Sequence, residues 1–315
     1  MKIVVTGALG HIGSRLIREL PVTFPEAQIV MIDDMSAQRY CSLFDLPMEG
    51  NYSFIEGDVL KYDLEKLTDG ADVVVHLAAI TDAAGSFEIR EKVEYENFTA
   101  CKRVAEACLK TGTAIIHLSS TSVYGTQNEV VNEECSESDL KPQSPYAETK
   151  LREENFLVSL GNSRGLRFVT CRFGTICGVS PGMRFHTAVN KFCWQAVLGQ
   201  PLTVWTTAYD QKRPYLDLIE AVEALKFIIS HDLFDGRVYN VLTANLTVRD
   251  IVYMIRQKVG DVEVQFVESP IMNQLSYEVS NRRIKERGFQ FAGSLEKSIG
   301  ETIELLKTAG GNCGK

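Results

Sequence analysis

Continuous apolar runs recur along the first half of the chain: KIVVT (2–6), QIVMI (28–32), YSFI (52–55), DVVVH (72–76), TAIIHL (113–118) and LRFVTC (166–171). Because they are continuous rather than alternating, each predicts a strand covered on both faces, and the stretches between them have helical length and pattern. Repetition of that unit predicts an α/β fold, a doubly wound parallel sheet with helices on both sides. After about residue 178 the rhythm changes. FHTAVNKFCWQAVLG (185–199) reads as an amphipathic helix, PLTVW (201–205) as a short strand, RVYNV (237–241) as another strand, and 217–230, 247–259 and 294–308 as helices. The pattern divides the chain into a first domain over 1–178 and a smaller α/β lobe over 179–315, with segments around 213–242 returning to the first sheet. No repeat or low-complexity linker separates the two, so the second lobe is expected to be interlaced with the first.

Composition narrows the range of partners. The 315 residues carry 33 Lys and Arg against 41 Asp and Glu, a net charge of −8, with no basic run. That balance argues against nucleic acid and against an anionic membrane surface. No stretch approaches the roughly 18 apolar residues of a membrane-spanning helix. The N-terminal MKIVVTGALGHIG passes from a short strand to glycines without the apolar core of a signal peptide. Eight cysteines, at 41, 101, 108, 135, 171, 177, 193 and 313, form no C-x-x-C pair and no zinc spacing. The expectation is a reduced, cytoplasmic chain with packed thiols and no metal. Cys101 and Cys108 should share one buried helix face.

The first chemical signal is TGALGHIG, which places Gly7, Gly10 and Gly13 after the first strand and at the start of a helix. There a pyrophosphate can approach backbone N–H groups and the positive end of the helix. Asp33 ends the second strand about 20 residues further on, where a carboxylate accepts hydrogen bonds from a ribose. A carboxylate repels a 2′-phosphate, so the pattern favours NAD over NADP; Arg39 is the one feature that argues for NADP. Asp58, in GDV after the third strand, is placed to meet the adenine, and the small residues of HLAAIT (76–81) let a flat cofactor lie close to the backbone. His76 and His117, set in apolar strands, read as hydrogen-bonded core histidines rather than ligands.

The second signal is SPYAETK (144–150). Ser144 suits an N-cap and Pro145 the first helical position, which puts Tyr146 in the first turn and Lys150 one turn later on the same face. The helix end and the lysine both predict a lowered phenol pKa. Action as a base near neutral pH needs a shift of roughly three units, about 4 kcal/mol. LSSTSVYG (118–125) follows the fifth strand, where the ligand crevice of such a sheet lies, and brings hydroxyls toward the same place.

TGALGHIG, Asp33, Asp58, HLAA, Asn97, LSSTSVYG and YAETK occur in the order seen in extended short-chain dehydrogenases/reductases, and the chain resembles the nucleotide-sugar epimerases and dehydratases of that family over nearly its whole length. The resemblance implies a Rossmann domain with NAD, a nucleotide-sugar substrate and a homodimer formed through helices at about 88–111 and 145–160. It implies Ser120 as the catalytic hydroxyl, Tyr146 as the acid/base and Lys150 on the nicotinamide ribose. Cofactor contacts are implied at Gly7, Gly10, His11, Ile12 and Gly13, at Asp33, Asp58 and Val59, and at Leu77, Ala78, Ala79, Asn97 and Ser119. Substrate contacts are implied at Thr81, Ser120, Ser122, Tyr146 and Thr175, and in the second lobe at Asn190 and Arg213. Arg213 would grip the diphosphate unless it pairs with Asp217 or Glu220.

Within the family the chain resembles the UDP-glucose 4-epimerases, with second-lobe similarity to the sulfoquinovose-synthase branch. Dehydratases usually follow the catalytic hydroxyl with an Asp-Glu pair, whereas Thr121 and Ser122 stand here, which argues against elimination. Glu129 and Glu133 read as solvated. Two departures leave nucleotide and sugar open: Thr175 replaces an asparagine in RFGTICG, and MNQLSYEVS (272–280) lacks the arginine and acid many of the epimerases use. The expected function is C4 epimerisation of an NDP-hexose or NDP-uronate through a transient 4-keto sugar. The alternatives are a 4,6-dehydratase or NAD(P)-dependent oxidoreductase of the same fold, and a non-catalytic dinucleotide sensor.

Overall fold

The computed structural model describes residues 1–81, 85–127, 129–268 and 276–310. Its main sheet has seven parallel strands: β1 (Lys2–Thr6), β2 (Gln28–Asp33), β3 (Asn51–Glu56), β4 (Val73–His76), β5 (Ala114–Ser120), β6 (Phe168–Phe173) and β7 (Val238–Val241). Their spatial order is β7-β6-β5-β4-β1-β2-β3. The helices are α1 (His11–Thr23), α2 (Leu64–Thr68), α3 (Arg90–Thr111), α4 (Pro145–Arg164), α5 (Ala188–Val197), α6 (Leu218–Ser230), α7 (Val248–Val259), α8 (Arg282–Glu286) and α9 (Leu295–Leu306).

The continuous apolar runs are explained by burial on two sides. Ile3 and Val5 of β1 join a cluster with Leu16 and Leu20 of α1 and Leu225 of α6, while Val4 joins another with Val104 of α3 and Leu157 of α4. Cys101 and Cys108 are both buried in that second cluster. The order reverses at β1, whose neighbours β2 and β4 lead to opposite edges, so the ligand crevice opens beyond the carboxyl ends of β1 and β4.

The second lobe has its own core, with Phe192 and Cys193 of α5, Ile251 and Ile255 of α7 and Ile299 of α9. RVYNV returns to the main sheet, pairing Val238–Val241 with β6. The segment before it does not. Lys212–Asp217 pairs instead with Thr175–Cys177 and Ala244–Thr247 in a separate three-stranded sheet. α6 then crosses back to pack beside α1 on the first core, so the lobes are interlaced through several crossings.

Candidate active site

Two glycines of the loop, Gly7 and Gly13, are required by a close approach of backbone. Gly7 has φ +64°, and a Cβ there would lie 2.7 Å from Ala78 N; a Cβ on Gly13 would lie 2.6 Å from Ala8 O. Gly10 is the N-cap of α1 and offers no side chain to its N–H groups, which leaves that helix end to an anion. Asp33 accepts hydrogen bonds from Leu9 N at 3.0 Å and Met35 N at 3.1 Å, so the carboxylate ties the loop to the end of β2. Burial raises its pKa, and these two N–H groups hold part of that rise back. The Arg39 side chain reaches toward Gly10, with Nη1 3.9 Å from where a Cβ on that glycine would sit.

The supporting residues divide into those facing the crevice and those turned away. Asp58 accepts from Leu60 N at 2.8 Å and pairs with Lys61 at 3.1 Å, shaping the turn after β3 beside buried Val59. Thr6 Oγ1 accepts from the N–H groups of Leu77 and Ala78 at 3.2 Å each, setting the strand end against the glycine loop. Asn97 is buried, and its amide both accepts from Ile80 N at 2.8 Å and donates to Ile80 O at 2.9 Å. It holds the segment that carries Ala79 and Thr81. His11 is turned away, and Ser119, although it lines the cavity, has its hydroxyl engaged. His11 Nε2 lies 2.8 Å from Gly178 O, and burial lowers its pKa to about 4; Ser119 donates to Glu154 Oε1 at 2.5 Å. Only the main chain of His11 can face a cofactor, and the Ser119 hydroxyl is committed to the helix.

α4 begins as its sequence implies, with Ser144 Oγ accepting from Ala147 N at 3.2 Å and Pro145 in the first turn. Lys150 Nζ then lies 5.9 Å from the centre of the Tyr146 ring. Ser120 ends β5, and its Oγ accepts from both Ser122 N at 3.2 Å and Ser122 Oγ at 2.9 Å. Thr121 is buried and donates to Phe173 O at 3.3 Å. Neither position after Ser120 holds an acid.

These groups meet in a cavity of about 340 Å³ lined by Ile12, Leu77, Ala79 and Thr81, by Ser120, Ser122, Tyr146 and Lys150, and from the three-stranded sheet by Thr175 and Arg213. Asn190 is not among its lining residues. Its side chain accepts from Gly178 N at 3.3 Å and donates to Arg184 O at 3.0 Å, so it braces the loop before α5 instead of reaching substrate. Arg213 is not paired with the residues sequence reasoning offered as partners: Asp217 accepts from the Ile219 and Ser294 N–H groups, and Glu220 from Thr243 and Gly293. Glu129 is exposed as expected, but Glu133 is half-buried and accepts from Asn240 N at 2.7 Å, pinning β7. In the segment 272–280, residues 272–275 lie outside the described residues.

Sequence reasoning missed Arg184, His186 and Lys191, which also line the cavity. The signal was available in SPGMRFHTAVNK, where basic residues follow a Pro-Gly loop and open a helix. Arg184 also hydrogen-bonds Thr81 across the cavity. The sign of the Tyr146 shift needs correction as well. Burial raises this phenol's pKa above its ordinary value, and the nearby charges of Lys150 and then Arg184 only reduce the rise. Spacing along a helix shows the lysine but not the loss of water around the ring.

A glycine loop at the switch point of a doubly wound sheet, facing a Ser-Tyr-Lys set across one cavity, defines an extended short-chain dehydrogenase/reductase. The chain belongs to the NAD dependent epimerase/dehydratase family, whose model matches residues 3–241. It is 30% identical over 321 residues to a trifunctional UDP-glucose 4,6-dehydratase/UDP-4-keto-6-deoxy-D-glucose 3,5-epimerase/UDP-4-keto-L-rhamnose-reductase of Arabidopsis thaliana, an alignment covering 96% of this chain and 46% of the plant protein. The chain thus spans about half the length of such relatives. It is 31% identical over 250 residues, 76% of each chain, to an uncharacterized UDP-glucose epimerase of Bacillus subtilis. Among solved structures it is similar to the UDP-glucuronic acid 4-epimerase of Bacillus cereus in complex with UDP-glucuronic acid and NAD, at 25% identity and a TM-score of 0.89, over 98% of this chain and 100% of that one. A UDP-N-acetylglucosamine 4-epimerase of Methanobrevibacter ruminantium is similar at 25% identity and a TM-score of 0.85, over 98% of each chain.

The residues present fit NAD. The side-chain-free positions at Gly7 and Gly13, the open helix end at Gly10 and the carboxylate of Asp33 match its pyrophosphate and its unphosphorylated ribose.

Proposed function

We propose that the protein is an NAD-dependent nucleotide-sugar 4-epimerase acting on an NDP-hexose or NDP-uronate. One observation supports epimerisation over dehydration: the described residues lining the cavity include Arg184, His186, Lys191 and Arg213 but no Asp or Glu. Elimination of water needs a second acid/base couple beyond the tyrosine. NAD, when bound, supplies the hydride acceptor and, once reduced, the donor. Tyr146 takes the proton of the sugar 4-hydroxyl and returns it when the ketone is reduced from its other face, while Ser120 donates a hydrogen bond to the same oxygen. Lys150 holds the ribose and keeps a positive charge near the phenol. Arg213 and Lys191 offer counter-charges to the diphosphate. Arg184, beside Tyr146, offers one to a sugar carboxylate, which favours the uronate of the two substrate classes.

The test is a panel of UDP- and dTDP-sugars, uronates included, followed by ¹H NMR. Interconversion of C4 epimers without net NADH supports the proposal. A 4-keto-6-deoxy product would assign a dehydratase, net NADH an oxidoreductase, and binding without turnover a sensor.

The proposal extends to a cytoplasmic homodimer. The seven described cysteines are all free, which suits a reducing compartment. Among the described residues no helix is long and apolar enough to cross a membrane. α3 and α4 pack side by side and expose Tyr95 and Val158, a surface on which a second copy could form a four-helix contact. A monomeric mass by light scattering at micromolar concentration refutes the dimer.

A further inference from the structure

One buried charged cluster is not used by the reaction as described. Glu153, on α4 one turn after Lys150, is fully buried with His117 of β5 and Cys101 of α3, and none of the three lines the cavity. A single oxygen of Glu153, Oε2, accepts from Lys150 Nζ at 2.8 Å and lies 2.7 Å from His117 Nε2. Its other oxygen, Oε1, is buried with no hydrogen-bond partner among the described residues. Although burial pushes the Glu153 carboxyl pKa up, Lys150 and then His117 bring it below its ordinary value, so the group is an anion. His117 Nε2 must therefore carry a proton and donate, with Nδ1 turned to Thr170 Oγ1 at 3.3 Å.

A buried carboxylate with one unsatisfied oxygen is destabilising, and core neighbours such as Leu157 have no need of it. Donor atoms of Cys101, His117 and Glu153 lie within 4.8 Å of one another, a spacing that also suits a metal ion. The Lys150 ammonium, however, already stands as a cation on that carboxylate. The cluster's hydrogen bond to the cavity-lining residues runs through Lys150.

We infer that Glu153, oriented by His117, is a positioning residue for the reaction: it anchors one N–H of Lys150 and opposes that lysine's charge at Tyr146. This rests on the reading of Tyr146 as the acid/base. The ammonium has three N–H groups, and with one fixed on Glu153 the other two point from a defined position toward cofactor and phenol. Tyr146 then feels an ion pair instead of a bare cation. The directions agree: the lysine lowers the phenol's pKa and Glu153 raises it. The other titratable groups around the pair are His76 of β4, Cys101 of α3 and Tyr146 on α4 itself, with Arg184 facing Tyr146 from the loop before α5. Burial keeps His76 neutral, its pKa lowered to about 3, and holds the Cys101 thiol well above its ordinary value. Neither changes charge where the effect is read.

The test is the titration of Tyr146 by NMR of the chain labelled at tyrosine ¹³Cζ, its signal assigned with Tyr146→Phe. Glu153→Gln keeps the shape and removes the charge, and should lower the Tyr146 pKa by about one unit. The acid limb of the kcat/KM profile should move to lower pH by the same amount, while Glu153→Asp stays near wild type. In a Lys150→Met background the same Glu153→Gln change should leave the titration unmoved, because an unpaired buried Glu153 takes up a proton. The neutral Met/Gln pair also avoids a lone buried charge, so this arm reads even if the single variant folds poorly. A Tyr146 titration that does not move in Glu153→Gln, or moves equally without Lys150, overturns the inference. The titration needs no turnover, so a chain that converts no nucleotide sugar refutes the epimerase reading and leaves this one to its own readout.

Discussion

The ion pair behind the active-site helix offers a sharp test of how the site is held. Arg172 of β6 grips Glu154 of α4 with two parallel hydrogen bonds, Nε to Oε1 at 3.0 Å and Nη2 to Oε2 at 2.6 Å, and both side chains are at most 5% exposed. Ser119 of β5 donates to the same carboxylate, and the guanidinium lies 4.8 Å from the centre of the Tyr124 ring. Glu154→Ala leaves this guanidinium buried without its counter-ion. Breaking one partner of a buried pair costs about 3–5 kcal/mol. With a urea slope near 3 kcal/mol/M for a chain of this size, the midpoint should fall by roughly 1–1.7 M. Replacing both partners, Glu154→Leu with Arg172→Met, should recover much of the loss, because two desolvated ions are removed together. The assay is urea unfolding followed by far-UV circular dichroism for wild type, both singles and the double. A Glu154→Ala loss below about 1 kcal/mol, or a double as unstable as the sum of its singles, refutes the reasoning.

Three further outcomes are expected. Gly7→Ala places a Cβ 2.7 Å from Ala78 N at φ +64°, so NAD affinity by calorimetry should fall at least about tenfold with the fold retained; unchanged affinity contradicts the loop assignment. Asp33→Ser removes the ribose acceptor and leaves Arg39, and should weaken NAD by about tenfold or more while improving NADP; a preference that stays with NAD shows that the carboxylate does not select it. His11 and His76 are buried, with pKa values lowered chiefly by burial to about 4 and about 3. In the unfolded chain each takes up a proton below its ordinary value of about 6.5, so their contribution to stability is complete above that pH and is lost as pH falls toward the folded values. Together they should remove about 2 kcal/mol between pH 6.5 and 5.5, while Asp33 and Glu133, with raised pKa values, act in the opposite sense; a His11→Gln, His76→Gln double variant with the same pH profile as wild type contradicts the burial of neutral imidazoles.

The strands could be read from the sequence because burial on both faces leaves an unbroken apolar run, as in KIVVT and QIVMI. KRPYLD was harder. The segment around 213–242 was expected in the main sheet, but sequence pattern does not show which sheet a strand joins, and its partner Thr175–Cys177 begins only two residues after β6 ends. The helix expected over 185–199 starts at Ala188, since the preceding loop is held by Asn190 and lined into the cavity. On α4 the polar pattern misleads: ETKLREENF resembles a solvated face, yet Lys150, Glu153 and Glu154 are all buried. Their partners His117 and Arg172 lie on strands tens of residues away and cannot be assigned from spacing. The proposed trio of Ser120, Tyr146 and Lys150, which line one cavity, could be singled out because glycine, capping and helical-spacing rules are local. The charge balance around it was not, because desolvation depends on the assembled core.

In the proposed reaction Tyr146 moves the proton of a nucleotide sugar held in this cavity. The direct measurement is the ¹H NMR time course of the interconverted sugar with wild type and Tyr146→Phe, alongside calorimetric NAD affinity for both. Wild type should epimerise the sugar, Tyr146→Phe should lose at least about a hundredfold in rate, and NAD affinity should change little. Equal rates for the two proteins would contradict the proposed reaction.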